Sequence, residues 1–180
     1  MVEKIIYIMK MLGYKVRYKN KIQFSGIAGF ERNAKVVVKS GKIQIGHGFC
    51  MRTGSYIAAV HGGSITIGDN VFINRNCSFV CQDLISIGEH CAFGPNVTMY
   101  DHDNCFGLNG IDSGYKKATI IIEKNCWIGT GVIILKGSHI GEGCVIGAGT
   151  VVKGDIPAHT IVTSESGRKL RLTPIEGKNK

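Results

Sequence analysis

Proline is scarce in this 180-residue chain, with only three, and aromatic residues make up 8%, with a single tryptophan. Scarce proline beside 25 glycines argues against a flexible linker protein and points to many tight turns that need positive φ. Long hydrophobic runs are missing too. The apolar stretch Ile5–Leu12 is interrupted by Lys10 and falls far short of the ~20 residues that cross a bilayer. Glu3 and Lys4 interrupt the start, so no secretory signal is expected. The seven cysteines include no Cys-x-x-Cys pair, which speaks against a zinc or dithiol motif. Free thiols in a reducing cytoplasm are the expectation. Charged residues are few, at 19%, while apolar residues reach 44%. That balance suits one globular domain with a real core and excludes a disordered chain.

The formal net charge of +9 is uneven: residues 1–42 carry ten Lys/Arg against two acids, residues 43–152 six against eight, and residues 153–180 six against three. The basic excess therefore sits at the two ends. It reads either as a solvated face or as contact with anions: nucleotide phosphates, an anionic glycan or a membrane surface. Nucleic acid is not expected, because the basic residues are not interleaved with stacking aromatics.

What the chain has is a repeat. Apolar residues recur every six positions, in groups of three: Ile45, Met51, Ile57; Ile67, Ile73, Phe79; Ile87, Phe93, Met99; Ile122, Ile128, Ile134; Ile140, Ile146, Val152. Counting that residue as position one, position two is often glycine, as in Gly46, Gly68, Gly88 and Gly129. Position four is almost always Gly or Asn: Gly48, Gly54, Asn70, Asn76, Asn96, Asn125, Gly131, Gly137, Gly143, Gly149. Both types tolerate the left-handed backbone of a sharp corner. Position five is small: Val71, Cys77, Cys91, Val97, Cys126, Val132, Cys144, Thr150. A period of six is neither helical nor alternating. It fits a parallel β-helix whose coils stack about 4.8 Å apart with aliphatic ladders inside. The spacings Ile45–Ile67 and Ile67–Ile87 imply small corner insertions, and Ile87–Ile122 implies one long loop, about 101–117. Outside the repeat, residues 3–12 read as a short amphipathic helix, and residues 22–42 as an irregular first coil with Ile22, Phe24, Phe30 and Val36 in its core. Residues 158–163 read as a last strand. The divisions are thus a basic segment 1–21, a repeat domain 22–165 and a polar tail 166–180.

The repeat explains most tempting motifs. Cys77, Cys91, Cys126 and Cys144 are core filler at position five. His47, His90 and His139 fall at corners, with exposed side chains expected. The histidines show no paired spacing for a metal. His102 differs: it lies in Tyr100-Asp101-His102-Asp103-Asn104, where the hexad breaks. Asn74 is also out of place, since it holds position two where glycine is common.

From about Ile67 to Arg171 the chain resembles the hexapeptide-repeat sugar O-acetyltransferases, the galactoside and maltose acetyltransferase group, and their relatives that acetylate surface polysaccharide. The matching stretches are Ile67-Gly68-Asp69-Asn70-Val71, Asn74-Arg75-Asn76, Gly94-Pro95-Asn96-Val97-Thr98, His102, Cys126-Trp127-Ile128-Gly129, Val145-Ile146-Gly147-Ala148-Gly149 and the run Val151 to Pro157. The resemblance implies an all-β, left-handed parallel β-helix, a homotrimer and acetyl-CoA as co-substrate, with no metal required. It makes His102 the general base and Asn74 a residue of the reacting centre. Trp127, Thr130, Ala148 and Lys153 would contact coenzyme A, with Arg168 and Arg171 near its phosphates. Three features depart from the family. The usual glycine-x-proline turn reads Ser164-Glu165-Ser166-Gly167, and an acceptor-site acid aligns with Gln82, beside Asp83. The long N-terminal helical segment of the galactoside enzymes is also absent. The acceptor change and the missing segment argue against a galactoside or maltose acceptor.

Free imidazole titrates at about pH 6.5, which suits proton abstraction from an acceptor hydroxyl near neutrality. Asp83 and Asp103 are the acceptor-site candidates, and either Asp101 or Asp103 is available to orient His102. Asn74 or a backbone N–H is the candidate donor to the developing oxyanion. The alternatives are N-acetylation of an amino sugar, or a silent β-helical scaffold. The segment 1–21 either rests on an anionic membrane, where it would meet lipid-linked saccharides, or caps the end of the β-helix.

Overall fold

The computed structural model describes residues 2–108, 110–164 and 170–174. Three parallel sheets form the faces of a β-helix. Sheet A holds seven strands, sheet B eight and sheet C six, and successive coils visit A, B and C in turn. One coil runs through Ser64–Ile67 in A, Phe72–Ile73 in B and Ser78–Cys81 in C, and the next through Leu84–Ile87, Ala92–Phe93 and Thr98–Tyr100. Strands pair in register, so Ile65 lies on Ile85 and Phe79 under Met99.

The hexad dictates this arrangement. All fifteen position-one residues are at most 2% exposed, and burying each such side chain contributes roughly 1.5–3 kcal/mol. All ten position-four Gly and Asn residues have φ between 55° and 77°. His90 and His159 take the same conformation and mark corners that the Gly/Asn pattern does not reveal. Position-two glycine answers a different constraint. A Cβ on Gly68 would lie 2.5 Å from the Glu89 nitrogen of the next coil. The eight position-five residues are buried, as core filler should be, and the seven cysteines form no disulfide.

The first coil is closed by Ile22, Phe30 and Val36, with Phe24 packed against them. Among the described residues Lys35–Val38 is the first strand of sheet C, so that strand's edge needs partners. Helix α1, Val2–Tyr18, supplies them. The Tyr14 hydroxyl donates to the Ala34 carbonyl at 3.2 Å and accepts from the Val36 N–H at 3.1 Å. The Tyr18 hydroxyl donates to the Val36 carbonyl at 3.2 Å. Lys10 Nζ donates to the carbonyls of Glu31, Arg32 and Ala34. The Tyr14 ring meets Phe30 edge-on at 5.2 Å. Side chains of α1 thus stand in for the missing strand. This is why the helix runs six residues past the expected end at residue 12, through Gly13, which costs a helix about 1 kcal/mol.

At the far end, Leu170–Pro174 turns back to pair antiparallel with Thr160–Ser164, within what reads from sequence as a polar tail. The segment expected to be a long loop is a two-stranded antiparallel hairpin, His102–Gly107 with Gly110–Lys117. It leaves the edge where sheet C turns toward sheet A. The corner insertions inferred from the spacing fall on the same edge.

Candidate active site

The hairpin begins at His102, and the geometry there is specific. Asp101 is fully buried. Its carboxylate accepts from the backbone N–H of Gln82 at 2.8 Å, from that of Asp83 at 2.8 Å and from the Cys81 thiol at 3.1 Å. Its Oδ1 also holds His102 Nδ1 at 2.9 Å. A carboxylate oxygen accepts, so the imidazole gives its Nδ1–H to Asp101, and in the neutral ring the lone pair is on Nε2. Burial, and then the hydrogen bond to Asp101, push the Cys81 thiol far up, so Cys81 serves as a donor and not as a nucleophile. The His102 side chain is only 12% exposed, and its ring is met edge-on by Tyr100 at 5.8 Å and Tyr115 at 5.4 Å. The Ala118 N–H donates to the Asp101 carbonyl, and Lys117 Nζ to the Gln82 carbonyl, which closes the hairpin base. The orienting residue is Asp101. Asp103 is instead 58% exposed and ion-paired with Lys136 at 3.1 Å.

The residues singled out from sequence divide between two edges. His102, Asp83, Asp103 and Lys153 follow strands of sheet C, on the edge leading to sheet A. Asp83 also accepts from Thr119 Oγ1 at 3.3 Å. Asn74, Thr130 and Ala148 follow strands of sheet B, on the edge leading to sheet C, and Trp127 stands 60% exposed on the face of sheet B. Asn74 is held by its own turn: its Oδ1 accepts from the Arg75 N–H at 2.9 Å and its carbonyl from Ser55 Oγ at 2.6 Å. Sheet C separates Asn74 from His102, so one chain does not bring them together. Arg168 lies outside the described residues. Arg171 is placed by its backbone pairing with Thr163. Among the described residues no group of three His, Cys, Asp or Glu side chains converges as a metal would require.

Sequence reasoning left Asp101 undecided and missed Cys81 and Tyr115. The Asp101 contacts depend on the turn of the preceding coil, twenty residues away. Tyr115 reaches His102 only through the hairpin's register.

The β-helix of hexapeptide coils thus holds a histidine against a buried carboxylate at the corner with the longest insertion. Residues 119–154 match the family described as bacterial transferase hexapeptide (six repeats). The galactoside O-acetyltransferase of Lactococcus lactis is 36% identical over 114 residues, 62% of this chain and 55% of that protein. The crystal structure of a maltose O-acetyltransferase from Clostridium difficile is 30% identical, covers 86% of this chain and 71% of that one, and superposes with a TM-score of 0.58. The N-acyltransferase AntD of Bacillus cereus, in complex with dTDP and coenzyme A, covers 93% of this chain and 89% of its own at a TM-score of 0.74. At 19% identity that likeness concerns the fold alone. The chain belongs to the hexapeptide-repeat acetyltransferase family. It spans about half the length of the curated relatives it matches.

Proposed function

We propose that the protein is an acetyl-CoA-dependent O-acetyltransferase acting on a saccharide hydroxyl, a sugar or a surface-polysaccharide precursor. The observation that carries the reading is the His102–Asp101 pair. A buried carboxylate that fixes Nδ1–H leaves Nε2 as a base at a corner the repeat does not need for its own structure. His102 takes the acceptor proton as the acceptor oxygen attacks the thioester carbonyl. The C–S bond then breaks, the proton passes to the sulfur, and free coenzyme A leaves. Asn74 supports the developing oxyanion. Trp127, Thr130, Ala148, Lys153, Arg168 and Arg171 are the coenzyme A contacts in this reading.

The two halves of the site lie on opposite edges of sheet C, which favours a homotrimer in which one copy supplies His102 and its neighbour Asn74. Helix α1 favours membrane contact. Its inner face caps the first coil, while Ile5, Met9, Leu12 and Val16 form an exposed outer stripe. These are spaced 4, 3 and 4 residues apart, a single helical face. No described helix is long and apolar enough to cross a membrane, so contact would be in the plane of the surface.

The deciding experiment is thiol release from acetyl-CoA with a panel of oligosaccharides and nucleotide sugars. His102→Ala should lower turnover by at least about 10²-fold and leave coenzyme A binding intact by calorimetry. Unchanged turnover removes His102 from the mechanism. A wild-type chain that binds no coenzyme A is a scaffold, not an enzyme.

A further inference from the structure

Three arginines fall on the edge between sheets B and C, in successive coils. Arg32 follows Gly29–Phe30, Arg52 follows Cys50–Met51 and Arg75 follows Phe72–Ile73. Together with Glu31 and with Ile6 and Tyr7 of α1, they line a cleft of about 760 Å³. Among the described residues Glu31 is the one acid lining it, and it is already committed. Its Oε1 holds Arg52 Nε at 2.8 Å, and its Oε2 accepts the Thr53 N–H at 2.9 Å. Arg52 is therefore fixed, with its guanidinium 5.9 Å from the Phe72 ring centroid. Arg32 and Arg75 have no ion-pair partner among the described residues, so the cleft keeps a net positive charge.

Coils rise about 4.8 Å each, so the three guanidinium-bearing turns span ~10 Å, enough for more than one phosphate group. Guanidinium forks suit phosphate oxygens better than neutral hydroxyls. Asn74 lies beside Arg75 in the same turn, and its Oδ1 accepts the Arg75 N–H. Thr130 and Ala148 lie further along the same edge, on the other side of Asn74. From the first coil onward the edge therefore carries an anion cleft, then the residue assigned to the reacting centre, then the residues assigned to coenzyme A.

We propose that this cleft binds a phosphate or diphosphate group carried by the acceptor, so that the acceptor is a phosphorylated saccharide and not a neutral sugar. The assignment of the acceptor rests on the acetyltransferase reading; the anion site itself does not. A nucleotide diphosphate and a prenyl diphosphate offer the same group, and Ile6 beside the arginines gives an apolar contact to either.

The test is calorimetric titration of the full chain with sodium pyrophosphate, UDP and geranyl diphosphate, with and without saturating coenzyme A. Pyrophosphate should bind wild type with an affinity that falls as NaCl is raised. Arg32→Ala/Arg75→Ala should bind at least tenfold more weakly at an unchanged melting temperature, since both side chains are exposed. His102→Ala should bind as wild type does. Tighter binding of UDP than of pyrophosphate assigns a nucleotide-linked acceptor, and tighter binding of geranyl diphosphate a lipid-linked one. Equal binding of all three leaves the phosphates as the recognised group. The proposal is overturned if wild type binds no pyrophosphate, if the double variant binds it equally well, or if coenzyme A displaces it. Failure of the acetyltransferase reading looks different: pyrophosphate binds while coenzyme A does not.

Discussion

At the residue scale the protein is decided by carboxylates that hold donors in place. Asp101 fixes the turn Gln82–Asp83 and the His102 ring at once. Asn in its place would turn an amide N–H toward one of those donors and release the ring. Asp101→Asn should therefore lower kcat by about 10²-fold or more while the KM for acetyl-CoA stays unchanged. A parallel rise in KM would mean that the edge as a whole has collapsed. Glu31 works by the same logic at the arginine cleft. Its carboxyl is held below the ordinary carboxylate range, first by the Thr53 N–H and, among the charged groups, chiefly by Arg52. A carboxyl depressed in the folded state stabilises the fold above its unfolded pKa, and that stability is lost as pH falls through the folded value. Glu31→Gln should melt below wild type at neutral pH, and the gap should narrow as pH falls below the ordinary carboxylate range. A gap that stays constant from neutral to acid pH would rule out the charge as its cause.

At the scale of elements, the coils were legible because each hexad position answers a separate constraint. Position one fills the core, position two passes close to the next coil, position four turns the corner and position five fills it. Those requirements repeat locally, so periodicity shows them. The hairpin and α1 were only partly legible, because each is specified by what it meets elsewhere. Tyr14 and Tyr18 extend α1 beyond residue 12 by reaching carbonyls of the first coil, contacts that no helical period encodes. Capping and membrane contact stand as alternatives in the sequence, yet they use opposite faces of the helix. Lys15, Arg17, Lys19 and Lys21 are exposed at the end of the helix and just past it, which favours an anionic surface. The expected result is sedimentation of the full chain with phosphatidylserine vesicles at low salt, lost in Met9→Glu/Leu12→Glu at an unchanged melting temperature. Sedimentation of that variant equal to wild type would remove the stripe as a membrane contact.

At the scale of the whole molecule, the residues proposed for the chemistry stand on two different edges. The repeat placed His102 and Asn74 in sequence, but the sequence does not say that sheet C stands between them. That fact emerges only once the coils are assigned to faces: Asn74 follows a strand of sheet B, and His102 a strand of sheet C. If catalysis needs both, a second copy must supply one of them. Subunit mixing tests this directly. Asn74→Ala and His102→Ala chains should each be inactive alone. Co-expressed in equal amounts, they should recover about a quarter of wild-type activity, because a quarter of the sites in randomly mixed rings pair an intact histidine with an intact asparagine. A site confined to one chain would recover nothing, since every chain carries a lesion. Sedimentation equilibrium at three times the 19.5 kDa chain mass is the companion measurement. A monomer that retains full activity would show that Asn74 takes no part in the chemistry, and would leave His102 and Asp101 to work on their own edge.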